Sequence, residues 1–272
     1  MILLGYLASI VIGISLGLIG GGGSILTVPV LVYLFKVEPM LATAYSLFIV
    51  GTSSLVGAYP KYKQGSINLK TAIVFGAPSI VAVFATRKLL VPAIPDNVFS
   101  LGEFMVTKSV LMMLLFAVLM VAASVSMIRD KKSKTEEKEE GQVFNYPMII
   151  LEGAVVGVLT GLVGAGGGFL IIPALVMLSK LPMKMAVGTS LLIIAAKSLI
   201  GFTGDLSENA AKMDWLLLGN VTLLAIGGIF IGNWLSKSID GYKLKKGFGW
   251  FVLVMGIYII IDQFFLKTGS GH

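Results

Sequence analysis

Cysteine is absent from the 272-residue chain, and the only histidine is His272, the last residue. Disulfides and cysteine-ligated metal or iron–sulfur sites are therefore excluded, and a histidine metal site or a Ser/His/Asp triad has no internal histidine to use. Charged residues are also scarce, at 13% of the chain, which is about half the share found in soluble domains. No pair of carboxylates stands inside an apolar run, so we predict no enzyme, no cofactor and no metal.

Apolar residues are abundant instead, at 56% of the chain, and the mean hydropathy is +0.94. A helix crosses a bilayer with about 20 apolar residues. Spans are predicted at 2–19, 40–59, 70–90, 104–128, 147–164, 184–203, 214–235 and 247–266, and two shorter apolar pieces at 24–35 and 169–179. The first span has no basic region before it and no convincing cleavage site, so we expect a span rather than a signal peptide. The sequence predicts an all-α polytopic membrane protein.

A charged linker divides this apolar sequence. Residues 129–146 begin with Arg129-Asp130-Lys131-Lys132 and continue with a Glu/Lys run, so the linker is expected to lie in water. It separates a first membrane repeat, 1–128, from a second, 147–267. The remaining residues, 268–272, have the composition of a cloning remnant.

The two halves align without a gap at an offset of 144 residues. Each half has a glycine-rich break, at 17–24 and at 161–168, and a proline follows each break at Pro29 and Pro173. The same offset pairs Gly13 with Gly157, Lys36 with Lys180, Ala42 with Ala186, Ser46-Leu47 with Ser190-Leu191, Ser54-Leu55 with Ser198-Leu199 and Gly57 with Gly201. Internal repeats decide the fold. We predict two repeats, each with a glycine-broken, re-entrant helix pair plus three spans.

Lysine and arginine indicate the orientation, because they concentrate in cytoplasmic loops. With the basic linker inside, the basic loops at 60–70, 180–184 and 236–246 also fall inside if each glycine break turns the chain back. Both termini and the loops at 91–103 and 204–213 then lie outside; Arg87 and Lys88 are exceptions near the outer end of their span. The two repeats have opposite orientations, which is an inverted-topology repeat. The net charge of +7 fits this bias, and attraction of anionic solutes is the alternative.

The glycine breaks are the first candidate for a binding site. A half-helix that starts at a break presents unpaired N–H groups and the positive end of a dipole, which together can bind an anion. The predicted substrate-binding residues are Gly22, Gly23 and Ser24 in the first break and Gly166, Gly167 and Gly168 in the second. Close helix packing is the alternative, and it is the role expected of Gly13, Gly17, Gly157 and Gly161.

Polar residues in the next span of each repeat add four candidates, Ser46, Thr189, Ser190 and Lys197. Hydroxyls in membrane helices often bond only to their own helix, and this is the alternative for the first three. Lys197 lies in an otherwise apolar run, and its repeat equivalent is Ser53. A charge inside a membrane span is a functional hypothesis. The ammonium either partners an anion or snorkels to the outer interface.

The doubled glycine cluster, the proline after each, the Ala-x-x-x-Ser-Leu runs at 42–47 and 186–191 and the basic linker resemble the TauE/SafE sulfite-exporter family. The resemblance covers nearly the whole chain. It implies a secondary transporter of sulfite, organosulfonates or related anions in the cytoplasmic (inner) membrane of bacteria, with export expected. Alternating access around a midplane site would come from movement of one repeat against the other. The second cluster departs from the first at Ala165, where the first has Gly21.

Other functions fit parts of this pattern. A passive small-anion channel would use the same anion site, and a flux that saturates and follows an imposed proton gradient distinguishes the transporter. A receptor or structural membrane protein would need no breaks aimed at the midplane. The expected partners are a small anion and the lipid bilayer, without nucleic acid. The coupling ion, for which H⁺ is the candidate, and the oligomeric state stay open.

Overall fold

The computed structural model describes residues 2–101, 104–129, 146–164, 167–177, 181–236 and 241–263. Their helices are, in order, α1 (Ile2–Ile19), α2 (Thr27–Pro29), α3 (Pro39–Lys63), α4 (Leu69–Ala85), α5 (Val91–Ala93), α6 (Lys108–Arg129), α7 (Tyr146–Val163), α8 (Gly168–Met177), α9 (Met183–Asn209), α10 (Trp215–Leu235) and α11 (Gly241–Ile261). Shorter 3-10 and π helices extend them at Gly21–Leu26, Val30–Leu34, Thr86–Leu90 and Ala210–Lys212. One antiparallel ribbon, β1 (Asn97–Leu101) and β2 (Phe104–Thr107), precedes α6.

The chain turns back on itself at the first glycine break. α1 ends at Ile19, and Gly20 takes a φ of +75°, a conformation that glycine adopts easily because it has no Cβ. The helical segment 21–34 then runs back along α1. At its end Phe35 packs edge-to-face on Tyr6, with ring centroids 5.3 Å apart, and covers Gly5 at the start of α1. The break therefore forms a re-entrant hairpin.

The centre of the protein is the pair α3 and α9, the most buried of the long helices. Glycines in both helices show their relative direction. Gly57 of α3 faces Leu191 of α9, whereas Leu47 faces Gly201, so the two helices run antiparallel. They occupy equivalent positions in the two halves of the sequence.

α1 packs closely on α10, across the boundary between the two halves. A Cβ at Gly13 would lie 2.8 Å from the carbonyl carbon of Ala225, and one at Gly17 would lie 2.5 Å from the carbonyl oxygen of Ile229. Both distances are much shorter than a normal van der Waals contact, so a side chain at either position would clash. The rising residue numbers show that α1 and α10 run parallel. The packing role predicted for Gly13 and Gly17 is confirmed.

α4 and α7 form the equivalent contact, in which the helix with the paired glycines, α7, belongs to the second half of the chain. A Cβ at Gly157 would lie 2.5 Å from the carbonyl oxygen of Ser79, and one at Gly161 would lie 2.8 Å from Cβ of Thr86. These helices also run parallel, and the packing role predicted for Gly157 and Gly161 is confirmed. α6 and α11, the last long helix of each half, pack on each other.

Local hydrogen bonds follow the 144-residue offset at the end of each short segment. The Val37 N–H donates to the Leu31 carbonyl at 3.0 Å, and the Leu181 N–H donates to the Leu175 carbonyl at 3.1 Å. α7 likewise begins and ends 144 residues after α1. The same local hydrogen bond therefore ends the short helical segment in each half of the chain.

The offset changes by two residues before α10. Asn68 caps α4 by accepting a bond from the Thr71 N–H, and Asp214 caps α10 by accepting one from the Leu217 N–H. These caps are 146 residues apart rather than 144. The gapless alignment therefore does not extend into α10, because α9 has 27 residues whereas α3 has 25.

Three boundaries differ from the sequence prediction. The ribbon β1–β2 occupies part of the predicted loop 91–103, and α6 begins at Lys108 rather than at 104. α9 continues to Asn209 rather than ending at 203, which places Asp205 inside a helix. Of the predicted linker, 130–145 lie outside the described residues, as do Ala165, Gly166 and the tail.

The described helices have the size and surface of membrane helices. Six of them are long and apolar enough to cross a bilayer, at Ile2–Ile19, Pro39–Lys63, Leu69–Ala93, Lys108–Val125, Lys184–Leu206 and Trp215–Leu235. Shorter apolar helices are described at Pro147–Val163 and Gly249–Ile261. Large apolar side chains such as Leu3, Leu216 and Trp234 are exposed at the perimeter, while charged Arg87 and Lys197 are buried. This is an all-α polytopic membrane protein.

Candidate functional site

The two glycine breaks meet at the centre of the protein. A Cβ at Gly168 would lie 2.6 Å from the Gly21 carbonyl oxygen, and one at Gly21 would lie 2.6 Å from the Gly168 carbonyl oxygen. A Cβ at either position would also overlap the Cα atom of the other glycine, so only glycine fits on either side. Each residue begins a helix, the 3-10 helix Gly21–Leu26 and α8. Two helix starts, with their positive dipole ends, therefore converge from the two halves.

Both breaks use the same backbone conformation before the contact. Gly20 has a φ of +75° and Gly164, its equivalent, a φ of +71°. Gly167 also has a positive φ, of +63°. These are conformations that side chains with a Cβ rarely adopt. Of the predicted site glycines, Gly22 lies within the 3-10 helix, and Gly166 lies outside the described residues.

Lys197 is buried beside the second break, with 1% of its surface exposed. Its Nζ donates to Thr160 Oγ1 at 3.2 Å, and a Cβ at Gly167 would lie 2.7 Å from the same Nζ. Within the described ranges its ammonium has no carboxylate at ion-pair distance. Because the ammonium points at Thr160 and away from solvent, the snorkelling alternative does not describe this side chain. Thr160 of α7 was not among the predicted site residues.

The predicted hydroxyls fall into different surroundings. Ser190 Oγ donates to the Val187 carbonyl at 2.9 Å and also lies against Gly20 of the first break. Ser24 Oγ bonds within its own segment, to the Gly21 carbonyl at 2.7 Å. Ser46 is completely buried, and its Oγ has no hydrogen-bond partner among the described residues.

Two predicted site residues lie away from the contact between the breaks. Gly23 packs on α1, where a Cβ would lie 2.6 Å from the Leu16 amide nitrogen. Thr189 Oγ1 accepts a hydrogen bond from the Asn68 N–H at 2.9 Å, at the start of α4. Both contacts are structural ones between neighbouring elements.

More buried hydroxyls line the central helices than the sequence prediction singled out. Like Ser46, three serines of α3 and α9 are buried with an Oγ that has no partner within the described part of the chain: Ser53, Ser54 and Ser198. Ser53 is the repeat equivalent of Lys197. A buried hydroxyl without a partner costs free energy in an apolar interior. Several such hydroxyls on one helix pair form a surface that can bind a polar ligand.

A second buried cation lies at one end of the central pair. Arg87 is 1% exposed, and its Nη1 lies 3.4 Å from Asp205 Oδ2 of α9 and donates to Thr43 Oγ1 of α3 at 2.9 Å. Its Nη2 lies against Gly164, where a Cβ would be 2.5 Å away. This cluster ties α3, α9 and the helical extension of α4 together. The sequence analysis placed Arg87 near the outer end of its span without a partner, and it placed Asp205 in a loop, which is wrong because α9 continues to Asn209.

Pockets lie near both ends of α3. One, of about 200 Å³, is lined by Pro60, Lys61, Gln64, Asn233, Trp234 and Ser236, and another, of about 320 Å³, by Glu38, Met40, Asp96, Asn97, Thr107, Lys108 and Ser109. Lys61 is the equivalent of Asp205 at the 144-residue offset, and Asn233 is the equivalent of Arg87 at the offset of the helix caps. The equivalent positions thus form an ionic cluster at one end and line a pocket at the other.

These features define a class of protein. Apolar helices surround buried cations, two helix starts and hydroxyls that have no partner among the described residues, as in membrane proteins that handle polar solutes inside the bilayer. The sequence matches the family described as sulfite exporter TauE/SafE over residues 5–259. The chain belongs to this family of membrane transporters.

Curated relatives agree with this assignment. A "probable membrane transporter protein" of Xylella fastidiosa is 28% identical, over 92% of this chain and 91% of the relative. A protein of the same description from Methanocaldococcus jannaschii is also 28% identical, over 92% of each chain. YdhB of Bacillus subtilis is 26% identical, over 88% of this chain and 92% of its own length. No solved structure is significantly similar to the chain. The family and these names indicate a membrane transporter rather than an enzyme.

Proposed function

We propose that the protein is a secondary transporter of a small sulfur-containing oxyanion, sulfite or an organosulfonate, and that it exports this anion across the cytoplasmic membrane. The observation that carries the proposal is Lys197, a fully buried lysine whose described partner is one neutral hydroxyl. The family description supplies the chemical class of the anion.

The charge around Lys197 favours an anionic ligand. A buried ammonium is stabilised mainly by an opposite charge, and one hydroxyl provides little of that. The starts of the 3-10 helix Gly21–Leu26 and of α8 bring two more positive dipole ends to the same region. An anion bound near Gly167 and Lys197 would neutralise all three, which no described carboxylate does.

The buried serines extend this environment along the central helices. Ser46, Ser53, Ser54 and Ser198 offer hydroxyl donors that have no partner among the described residues. Hydroxyls bind an oxyanion as neutral donors, so they can hold it without trapping it, and a transporter must also release its substrate. We assign these residues to the path of the anion on either side of Lys197.

We further propose that the two halves are inverted-topology repeats and that the protein works by alternating access. The antiparallel direction of α3 and α9 and the exchanged contacts of α1 with α10 and α7 with α4 support this arrangement. By the lysine rule the pocket beside Lys61 faces the cytoplasm, whereas the Arg87–Asp205 cluster faces outside. Movement of one repeat against the other would open and close the two ends in turn.

Transport by the purified protein in proteoliposomes tests the proposal. Uptake of labelled sulfite, a small organosulfonate, sulfate and a carboxylate of similar size is measured beside protein-free liposomes. We expect saturable flux for sulfite or the sulfonate and a response to an imposed proton gradient. Flux that never saturates and follows only the anion gradient would favour a channel, and no flux of any of these anions would contradict the proposal.

A further inference from the structure

We propose that Arg87 is a second anion-binding residue, at the outer end of the transport path, and that it binds two oxygens of a sulfonate or sulfite at once. The proposal rests on the transport function proposed above. It adds a residue with its own chemistry, the guanidinium, and a second position for the anion next to that of Lys197.

Only one side of the Arg87 guanidinium makes polar contacts with the described residues. Nη1 makes both of its described polar contacts, to Thr43 Oγ1 at 2.9 Å and to Asp205 at 3.4 and 3.5 Å. Nε and Nη2 have no hydrogen-bond partner among the described residues, although the side chain is 1% exposed. Buried N–H groups of a cation that lack a partner are costly. Their retention indicates a ligand that binds there during the transport cycle.

The unused side has the shape for an oxyanion. Nε and Nη2 form the edge of the guanidinium whose two parallel N–H groups bind two oxygens of one anion at the same time. A sulfonate or sulfite presents three oxygens and can give two of them to this edge. Lysine cannot replace this geometry, because its ammonium is a point charge.

The unused side also faces the second glycine break. A Cβ at Gly164 would lie 2.5 Å from Nη2 of Arg87, and a Cβ at Gly167 would lie 2.7 Å from Nζ of Lys197. Two buried cations from different helices therefore each lie against a described glycine of the second break, Arg87 at Gly164 and Lys197 at Gly167.

Asp205 makes the anion position at Arg87 different from the one at Lys197. It lies at the Nη1 side of Arg87, with separations longer than the 2.7–2.9 Å that is common for a strong charge-assisted bond. Its negative charge orients the guanidinium and weakens the attraction of Arg87 for a second anion. Lys197 has no such carboxylate among the described residues. Arg87 is therefore the weaker position, as release toward the outer end requires.

The arrangement belongs to one end of the protein alone. The equivalent of Arg87 in α10 is Asn233, and the equivalent of Lys197 in α3 is Ser53. The first break therefore has neither cation. The asymmetry between two otherwise matching halves sets Arg87 apart from the residues that the repeat itself requires.

The experiment compares Arg87→Lys with Lys88→Gln in proteoliposomes, using a small organosulfonate and a carboxylate of similar size. Arg87→Lys keeps the charge beside Asp205 but removes the two-pronged edge. We expect KM for the sulfonate to rise about 10-fold, a loss typical of one charge-assisted bond, and KM for the carboxylate, which also presents two oxygens, to rise with it. Lys88 is exposed and lies over the Phe84 ring, so its variant should transport like the unaltered protein.

A charge exchange, Arg87→Asp with Asp205→Arg, separates anion binding from a structural ion pair. If the pair only holds helices together, the exchanged protein should recover the KM of the unaltered protein for the sulfonate, and that result would overturn the proposal. If Arg87 binds the anion, the exchanged protein should remain defective although it is monodisperse in detergent. Unaltered protein that transports no anion would contradict the transport function itself, whereas an unchanged KM in Arg87→Lys would contradict only the role of Arg87.

Discussion

The contact between Gly21 and Gly168 predicts a large effect from the addition of one methyl group. In Gly168→Ala the new Cβ would lie 2.6 Å from the Gly21 carbonyl oxygen and 2.5 Å from the Ile194 side chain. Favourable contacts need about 3.5–4.0 Å, so the helices must separate by roughly 1 Å. Because a backbone atom blocks the methyl group, a side-chain rotation cannot relieve it. Overpacking of this kind costs about 1–3 kcal/mol.

Thermal unfolding in detergent measures this cost. A loss of about 1–3 kcal/mol corresponds to a fall in Tm of roughly 2–12 °C for a chain of this size. The matched control is Gly227→Ala in α10, where a Cβ would meet no atom within 4 Å. Alanine is a better helix former than glycine, so the control should keep or slightly raise Tm. Transport should fall in Gly168→Ala and stay unchanged in Gly227→Ala.

A double variant makes the test sharper. Gly21→Ala alone should cost about as much as Gly168→Ala, because each methyl group meets the other backbone. Once one substitution has separated the helices, the second should cost less, so the two effects should not add. Equal Tm values for Gly168→Ala and Gly227→Ala, or additive losses in the double variant, would refute the contact between the breaks.

Four further predictions concern single positions. Asn68→Ala removes the cap on the Thr71 N–H and should lower the unfolding free energy by about 1 kcal/mol; an unchanged Tm would count against the cap. Thr189→Val leaves the Asn68 N–H without its acceptor and should cost about 1–3 kcal/mol with little change in KM for the anion, whereas a changed KM with unchanged Tm would make Thr189 a ligand instead. Gly20→Ala places a side chain at a φ of +75° and should cost about 1–3 kcal/mol in the same unfolding assay; no loss would mean that the hairpin relaxes. Lys197→Met should raise Tm without added anion, because it removes a buried charge that has one neutral described partner; a lower Tm would mean that the ammonium has a compensating partner.

The sequence is sufficient to predict most of the helices and the packing glycines. Apolar length predicts α1 at its observed bounds, since few other structures can bury so many apolar residues in a bilayer. Glycines spaced four residues apart, such as Gly13 and Gly17, predict close helix contacts because they remove the side chains between two backbones. The break at Gly20 can also be predicted from the sequence, because a run of glycines destabilises a helix.

The ionic cluster at Arg87 could not be predicted in the same way. Its partner Asp205 comes from a distant helix of the other half, and nothing in either local sequence specifies that α4 packs beside α9. The predicted end of α9 at 203 also placed Asp205 in a loop. One signal was present: Arg87 and Asp205 both lie within a few residues of the end of an apolar predicted span, and opposite charges at such positions can pair. Thr160 carried no signal, because a single threonine in an apolar helix is common.

Anion counterflow by Lys197→Met tests the central claim most directly. Proteoliposomes are loaded with unlabelled sulfite or sulfonate, and exchange of the labelled anion is compared with Lys184→Met, which removes an exposed lysine from the same helix. Loss of one partner of a buried charge pair costs about 2 kcal/mol or more, so we expect exchange to fall by about 30-fold or more in Lys197→Met. Lys184→Met should exchange normally. Equal exchange by the two variants would contradict an anion site at Lys197.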